Sequence, residues 1–134
     1  MQYETVIGLE IHMKLNSQNK LFCRCPNEQE FDDLAPNTHV CPICMGQPGA
    51  MPHLNTEPLS KAVQLGLALW CKVNEISTFD RKSYFYPDLP MGYQITQQMK
   101  PTNVDGEMSF FVDKEFSEFR SVRIRDAHIE TDTG

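Results

Sequence analysis

Two closely spaced cysteine pairs constrain this sequence more than any other feature. Cys23-Arg24-Cys25 and Cys41-Pro42-Ile43-Cys44 form a CxC and a CxxC separated by fifteen residues. Each pair can supply two thiolates to one tetrahedral ion while the intervening chain closes back, which is the spacing of a zinc ribbon. The surrounding segment, residues 15–54, carries Pro26, Pro36, Pro42, Pro48 and Pro52 with two glycines, and reads as irregular, turn-rich chain poor in core residues. A metal would supply the folding free energy that such a segment lacks. The expectation is a closed structural zinc site of Cys23, Cys25, Cys41 and Cys44 in a loop of about residues 21–46, with His39 a weaker candidate ligand. The competing reading is four reduced cysteines in a loop. Cys71, beside an apolar run, reads as a small buried hydrophobe.

An odd total of five cysteines suits metal binding better than an extracellular disulfide framework. The start, MQYETVIGLE, has no basic segment followed by an apolar run, and the longest apolar stretch, near Leu65 to Trp70, is too short to span a bilayer. These features predict a soluble, intracellular protein. A chain of 134 residues suffices for one domain or a large piece of one. Its net charge of -6 argues against a domain that coats nucleic acid, since phosphate binding draws on clustered Lys and Arg. Contact with RNA would be local.

Hydrophobic periodicity places the elements. From Thr5 to Lys14, Ile7, Leu9, Ile11 and Met13 alternate with Glu10, His12 and Lys14, which predicts a strand with one apolar face. A helix is predicted over Glu57 to Lys72, with Thr56 as its N-cap, Pro58 in the first turn, and Leu59, Ala62, Val63, Leu67 and Trp70 at helical spacing. Residues 79–101, rich in aromatic rings near Pro87 and Pro90, suit an ordered loop or short strands. Two further strands are predicted at Met108 to Asp113 and Arg120 to Glu130, around a charged turn near Lys114 to Glu118. The chain ends at Gly134 directly after a polar run, with no closing helix or strand, and so reads as cut.

Period two also aligns chemistry. Glu10 and His12 share one strand face, as do His128, Glu130 and Asp132 if that segment is extended. Were the two stripes to converge, carboxylates and an imidazole would suit Mg²⁺ or Mn²⁺ with open positions for phosphate oxygens; the alternative is two solvated faces. Arg81 and Lys82, next to Tyr84-Phe85-Tyr86-Pro87, are candidates to hold phosphate or a tRNA end, although such a pair is more often surface charge.

Taken together, VIGLEIH (6–12), LFCRC (21–25), VCPICMGQPGAMPHLN (40–55), FDRKSYFYPDLPMGYQITQ (79–97) and HIETDTG (128–134) resemble the GatB/GatE family. That family comprises the B-type subunits of glutamyl/aspartyl-tRNA amidotransferases and their archaeal relatives. The resemblance implies an α+β fold, an incomplete cradle like those of glutamine synthetase and guanido kinases, of which residues 1–134 are the N-terminal part with an inserted zinc-binding loop. It implies a ligase that uses ATP and Mg²⁺ to phosphorylate the side-chain carboxylate of Glu-tRNA(Gln) or Asp-tRNA(Asn), then amidates it with ammonia. It also implies a glutaminase (A-type) subunit and a small C-type subunit as partners, and a cytoplasmic or organellar-matrix location.

Position by position, Glu10, His12 and Glu130 match the family's magnesium strands, with His128 and Asp132 beside them. Lys82 matches a lysine near the ammonia exit, which makes Glu10, His12, Lys82 and Glu130 the candidate catalytic residues. Arg81, Lys82 and Tyr86 are candidates for contacts to ATP. The four cysteines match a zinc motif that some members have. Ser83, Met91 and Thr131 stand where the family commonly has Asn, Lys and Glu. If that Lys and Glu pair across the ammonia path, their joint loss alters its polarity while avoiding an unpaired charge. By this resemblance the 134-residue portion alone is expected to be inactive. A different reading is a non-catalytic, zinc-containing relative that binds tRNA or a partner subunit.

Overall fold

A computed structural model describes residues 2–27, 35–87 and 89–131. The chain runs α1 (Thr56–Ala68), β1 (Lys72–Val73), β2 (Asp80–Ser83), β3 (Tyr93–Thr96), β4 (Asn103–Phe111) and β5 (Phe119–Ala127), a small α+β arrangement. All strand pairing is antiparallel, with one sheet ordered β1-β4-β5 and a second made of β2 and β3.

The helix is shorter than its periodicity predicts, and its start is one residue earlier. Asn55, not Thr56, is the N-cap, and its side chain donates instead to the carbonyls of Lys20 and Cys23, at 2.6 and 2.7 Å. The start of α1 is thereby tied to the cysteine loop. At the other end, Cys71 N–H bonds to Gly66 O (2.8 Å) and Trp70 N–H to Leu67 O (3.1 Å), the paired bonds of a Schellman motif, with Trp70 at φ 55°. Termination there turns Trp70 into solvent, although it fits the apolar stripe, and turns Cys71 inward as expected.

The helix packs on β1 and β4 through small residues. A Cβ on Gly66 would overlap the Asn103 amide, so only glycine lets the helix approach β4 this closely. Asn103 is fully buried and donates to Ala62 O and Ala127 O, both at 3.0 Å, linking helix, β4 and the end of β5. Gln97 does similar work, since its Oε1 accepts from Thr102 N–H (3.1 Å), Thr102 Oγ1 (2.9 Å) and Ile129 N–H (3.3 Å). The Asn103 amide N–H groups and Gln97 Oε1 thus stitch loops to strands, while Asn103 Oδ1 is buried with no hydrogen-bond partner among the described residues.

The predicted hairpin is present, with β4 beginning earlier and β5 ending earlier than the predicted segments. After Ala127 the chain leaves the ladder, and Thr131 N–H bonds instead to Ile95 O on β3 (2.9 Å). Correction is needed for Thr5 to Lys14, which pairs with no strand among the described residues. Its Ile7, Leu9 and Ile11 are 83%, 90% and 85% exposed. Alternation creates a face; a strand also needs an edge to pair with. Asp132, Gly134 and part of the predicted zinc loop, residues 28–34, lie outside the described residues.

Candidate functional site

The cysteines come together. One sulfur from each of Cys23, Cys25, Cys41 and Cys44 lies within 4.8 Å of the others, with Cys23 buried and the rest half-buried. Among the described residues this is the one such group of three or more His, Cys, Asp or Glu side chains. The Cys41 and Cys44 sulfurs are 3.7 Å apart. A tetrahedral zinc with Zn–S bonds near 2.3 Å requires about 3.8 Å between sulfurs, so this pair already has the needed span. Because all five cysteines are free, the thiols are available as ligands. His39 is outside the group, and its carbonyl accepts from Lys20 Nζ at 2.9 Å.

Local backbone explains why Cys41 and Cys44 meet. Met45 N–H bonds to Cys41 O, Gly46 N–H to Ile43 O and Gln47 N–H to Pro42 O, at 2.9 to 3.0 Å, while Cys41 N–H donates to Cys44 Sγ at 3.0 Å. Gly46 supplies the left-handed residue (φ 64°) that closes this knuckle. The Cys44 backbone N–H brings the Cys41 thiol down to about 7, whereas burial pushes Cys25 up to about 12 and also raises Cys23. Cys41 is thus the most readily ionised of these three thiols, and a divalent cation would compensate the charge of the thiolates.

His12 stands between Glu10 and Glu130, although Thr5 to Lys14 forms no strand among the described residues and β5 ends at Ala127, three residues short of Glu130. His12 Nε2 is 3.4 Å from Glu10 Oε1, and His12 Nδ1 is 3.5 Å from Glu130 Oε1. Glu130 is the fixed member, with its side chain only 17% exposed against 71% for His12. Thr96 Oγ1 donates to Glu130 Oε2 at 2.9 Å, and His128 Nε2 stands 3.7 Å from the same oxygen. His128 Nδ1 then meets Asp126 Oδ1 at 2.9 Å, and Arg125 Nε meets Asp126 Oδ2 at 2.8 Å. Burial opposes charge on Asp126, but the bonds from His128 and Arg125 hold its carboxyl below the usual range. The imidazole of His12 lies between two carboxylates on opposite nitrogens, so one ion touching all three side chains requires that ring to turn. Asp132 falls outside the described residues.

Lys82 and Arg81 do not form one clamp. They are successive residues of β2, opposite Gln94 and Ile95 of β3, and therefore project to opposite faces. Arg81 lies over the Tyr93 ring at 5.0 Å, and Tyr86 stacks with Tyr84 at 5.9 Å. Met91 packs against Gly46, whereas Thr131 Oγ1 accepts from Ile95 N–H at 3.1 Å. Thr96, Gln97 and Asp126 escaped the sequence reading. Asp126 alone left a signal, the period-two run Asp126, His128, Glu130.

The fold and the clustered thiols define an α+β domain equipped to hold a metal ion. The chain belongs to the GatB/GatE family, whose catalytic domain matches residues 5–134. It is 49% identical over 133 residues to the B-type subunit of the aspartyl/glutamyl-tRNA(Asn/Gln) amidotransferase of Thermomicrobium roseum, covering 99% of this chain and 26% of that protein. The corresponding amidotransferase subunits of Pseudothermotoga lettingae and Elusimicrobium minutum are 48% identical over 134 residues and 50% over 133, with 27% and 26% of their lengths covered. The chain therefore spans about a quarter of the length of the curated relatives it matches. Among the described residues, no helix is long and apolar enough to cross a membrane.

Proposed function

We propose that this chain is the N-terminal part of the catalytic cradle of a tRNA-dependent amidotransferase subunit, located in the cytoplasm or an organellar matrix. The family match supports the reaction class, and the names of the relatives support Asp/Glu-tRNA as substrate. The observation that carries the site is the approach of His12 to Glu130 from opposite ends of the chain.

In this reading Glu10, His12 and Glu130 would hold Mg²⁺, whose chemistry is to offset charge on transferring phosphate oxygens. The hard oxygens of the two carboxylates suit that ion. The tRNA-borne carboxylate oxygen attacks the γ-phosphorus of ATP and ADP departs; ammonia then attacks the acyl phosphate and inorganic phosphate leaves. Carboxylates are poor electrophiles, so this exchange of leaving group is what makes the amide accessible. Within the chain, Glu130 is oriented by Thr96 and His12 is aligned between the two carboxylates. Lys82, Arg81 and Tyr86 would contact phosphate or the tRNA end, Lys82 from the opposite sheet face to Arg81. The cysteine quartet would carry structural zinc. An A-type glutaminase and a small C-type partner complete the assembly, and the 134-residue chain alone lacks activity.

A second reading, a non-catalytic binding relative, is motivated by Met91 and Thr131, uncharged residues where the family commonly has Lys and Glu. The test is transfer of labelled γ-phosphate from ATP to Glu-tRNA or Asp-tRNA by the full assembly carrying this segment. Transfer abolished by Glu130→Ala, with glutaminase activity retained, supports catalysis; tRNA binding without transfer supports the second reading.

A further inference from the structure

The cysteine knuckle and the turn between β2 and β3 meet at two residues, Gly46 and Met91. A Cβ added to Gly46 would lie 2.5 Å from Met91 Cγ and 3.0 Å from Met91 Cβ, so the open face of this glycine is filled by the methionine side chain. Both residues are half-buried. Gly46 has little freedom of its own, because its φ of 64° and the three backbone bonds of the knuckle fix it relative to Cys41 and Cys44.

Met91 is flanked in its turn by residues held by backbone hydrogen bonds. Gly92 N–H bonds to Leu89 O and Tyr84 N–H to Gly92 O, each at 3.1 Å, and Leu89 N–H bonds to Tyr86 O at 3.0 Å. Leu89 is 5% exposed, whereas Phe85 is 87% exposed and Tyr86 57%. The turn is thus anchored near Leu89 and Met91 while its aromatic side remains in solvent. A segment with few buried apolar contacts opens at low free energy, so loss of one anchor has a large local effect. An unbranched thioether side chain suits the contact, because it fills an irregular gap against backbone.

We propose that Met91 is a positioning residue that fastens the β2–β3 turn to the knuckle, so that metal occupancy of Cys23, Cys25, Cys41 and Cys44 sets the order of the turn bearing Tyr84 and Tyr86. The proposal rests on the metal reading of the cysteines, and goes beyond it by giving the ion a task outside its own loop. Holding Cys41 and Cys44 to one ion keeps Gly46 in place; Gly46 gives Met91 its seat; Met91 holds Gly92, and through it Tyr84. The turn joins the strand of Arg81 and Lys82 to the strand that Thr131 binds.

Amide hydrogen exchange on the zinc-loaded chain, before and after EDTA, tests this directly. After EDTA, the Tyr84 and Gly92 amides should exchange at least about tenfold faster while the β4–β5 ladder keeps its protection. Zinc-loaded Met91→Ala should show the same acceleration with its metal retained, and Met91→Leu, of similar volume, should restore most of the protection. Elemental analysis run alongside separates the two layers: a chain that never holds zinc overturns the metal reading and the coupling with it. Zinc lost with unchanged Tyr84 and Gly92 exchange overturns the coupling alone. So does wild-type protection in Met91→Ala, including where EDTA unfolds the whole chain.

Discussion

Thr96 Oγ1 donates a 2.9 Å hydrogen bond to Glu130 Oε2, joining a buried strand residue to the carboxylate on which the proposed site turns. The bond occupies one oxygen and leaves Oε1 facing His12 at 3.5 Å. Thr96→Val keeps the shape and removes the donor, and should cost about 1 kcal/mol in stability, read by denaturant titration. In the full assembly it should weaken Mg²⁺-dependent ATP binding, measured calorimetrically, more than tRNA binding.

The cysteine quartet should hold about one zinc per chain, measured by elemental analysis of the purified protein. Cys23→Ser, which alters the most buried ligand, should lower that content sharply. The thiols should be protected from a thiol reagent until a chelator is added; full reactivity beforehand would remove the site.

Gly66→Ala sets helix propensity against packing. Alanine favours the helix by up to about 1 kcal/mol, while the added methyl group collides with the Asn103 amide. Overpacking of this type costs about 1 to 3 kcal/mol, so packing wins and thermal unfolding should occur at lower temperature. A more stable variant would show that α1 can slide away from β4.

Asp113 gives the fold a pH dependence at the hairpin turn. The backbone N–H of Ser117, with further bonds from Glu118 N–H and Ser117 Oγ, holds its carboxyl below the ordinary 3.8, with slight burial opposing. A depressed folded-state pKa means a contribution fully present above the unfolded value and lost as pH falls through the lower folded value. Carbon NMR titration should find that lowered midpoint, and Asp113→Ala should abolish the turn's acid sensitivity.

How far the sequence reaches is clearest at Glu130. Its partnership with His12 followed from resemblance, and the residues do meet, yet the expected geometry of two neighbouring strands is absent. Period-two alternation at Thr5 to Lys14 specifies side-chain faces and says nothing about which edge is available to pair. The early exit of Glu130 from β5 depends on Thr131 bonding to Ile95, a contact between distant segments that no local pattern encodes. The β4–β5 hairpin was legible because alternation and a charged turn lie within one short stretch. The cysteine cluster was legible because thiol spacing carries its own geometry. The helix end was not, since Trp70 fits the apolar stripe while occupying a left-handed conformation that usually falls to glycine.

The most direct measurement of the central claim is phosphoryl transfer from γ-labelled ATP to the side-chain carboxylate of Glu-tRNA or Asp-tRNA, by a full-length assembly containing this segment, compared with its Glu130→Gln variant. That substitution keeps the size of the side chain and removes the charge that would hold the metal. The proposed mechanism predicts labelled acyl phosphate in the wild type, and at least about a hundredfold less in the variant if that charge supplies the electrostatic stabilisation typical of such sites, with glutaminase activity and tRNA binding retained. Equal transfer by both proteins would contradict it.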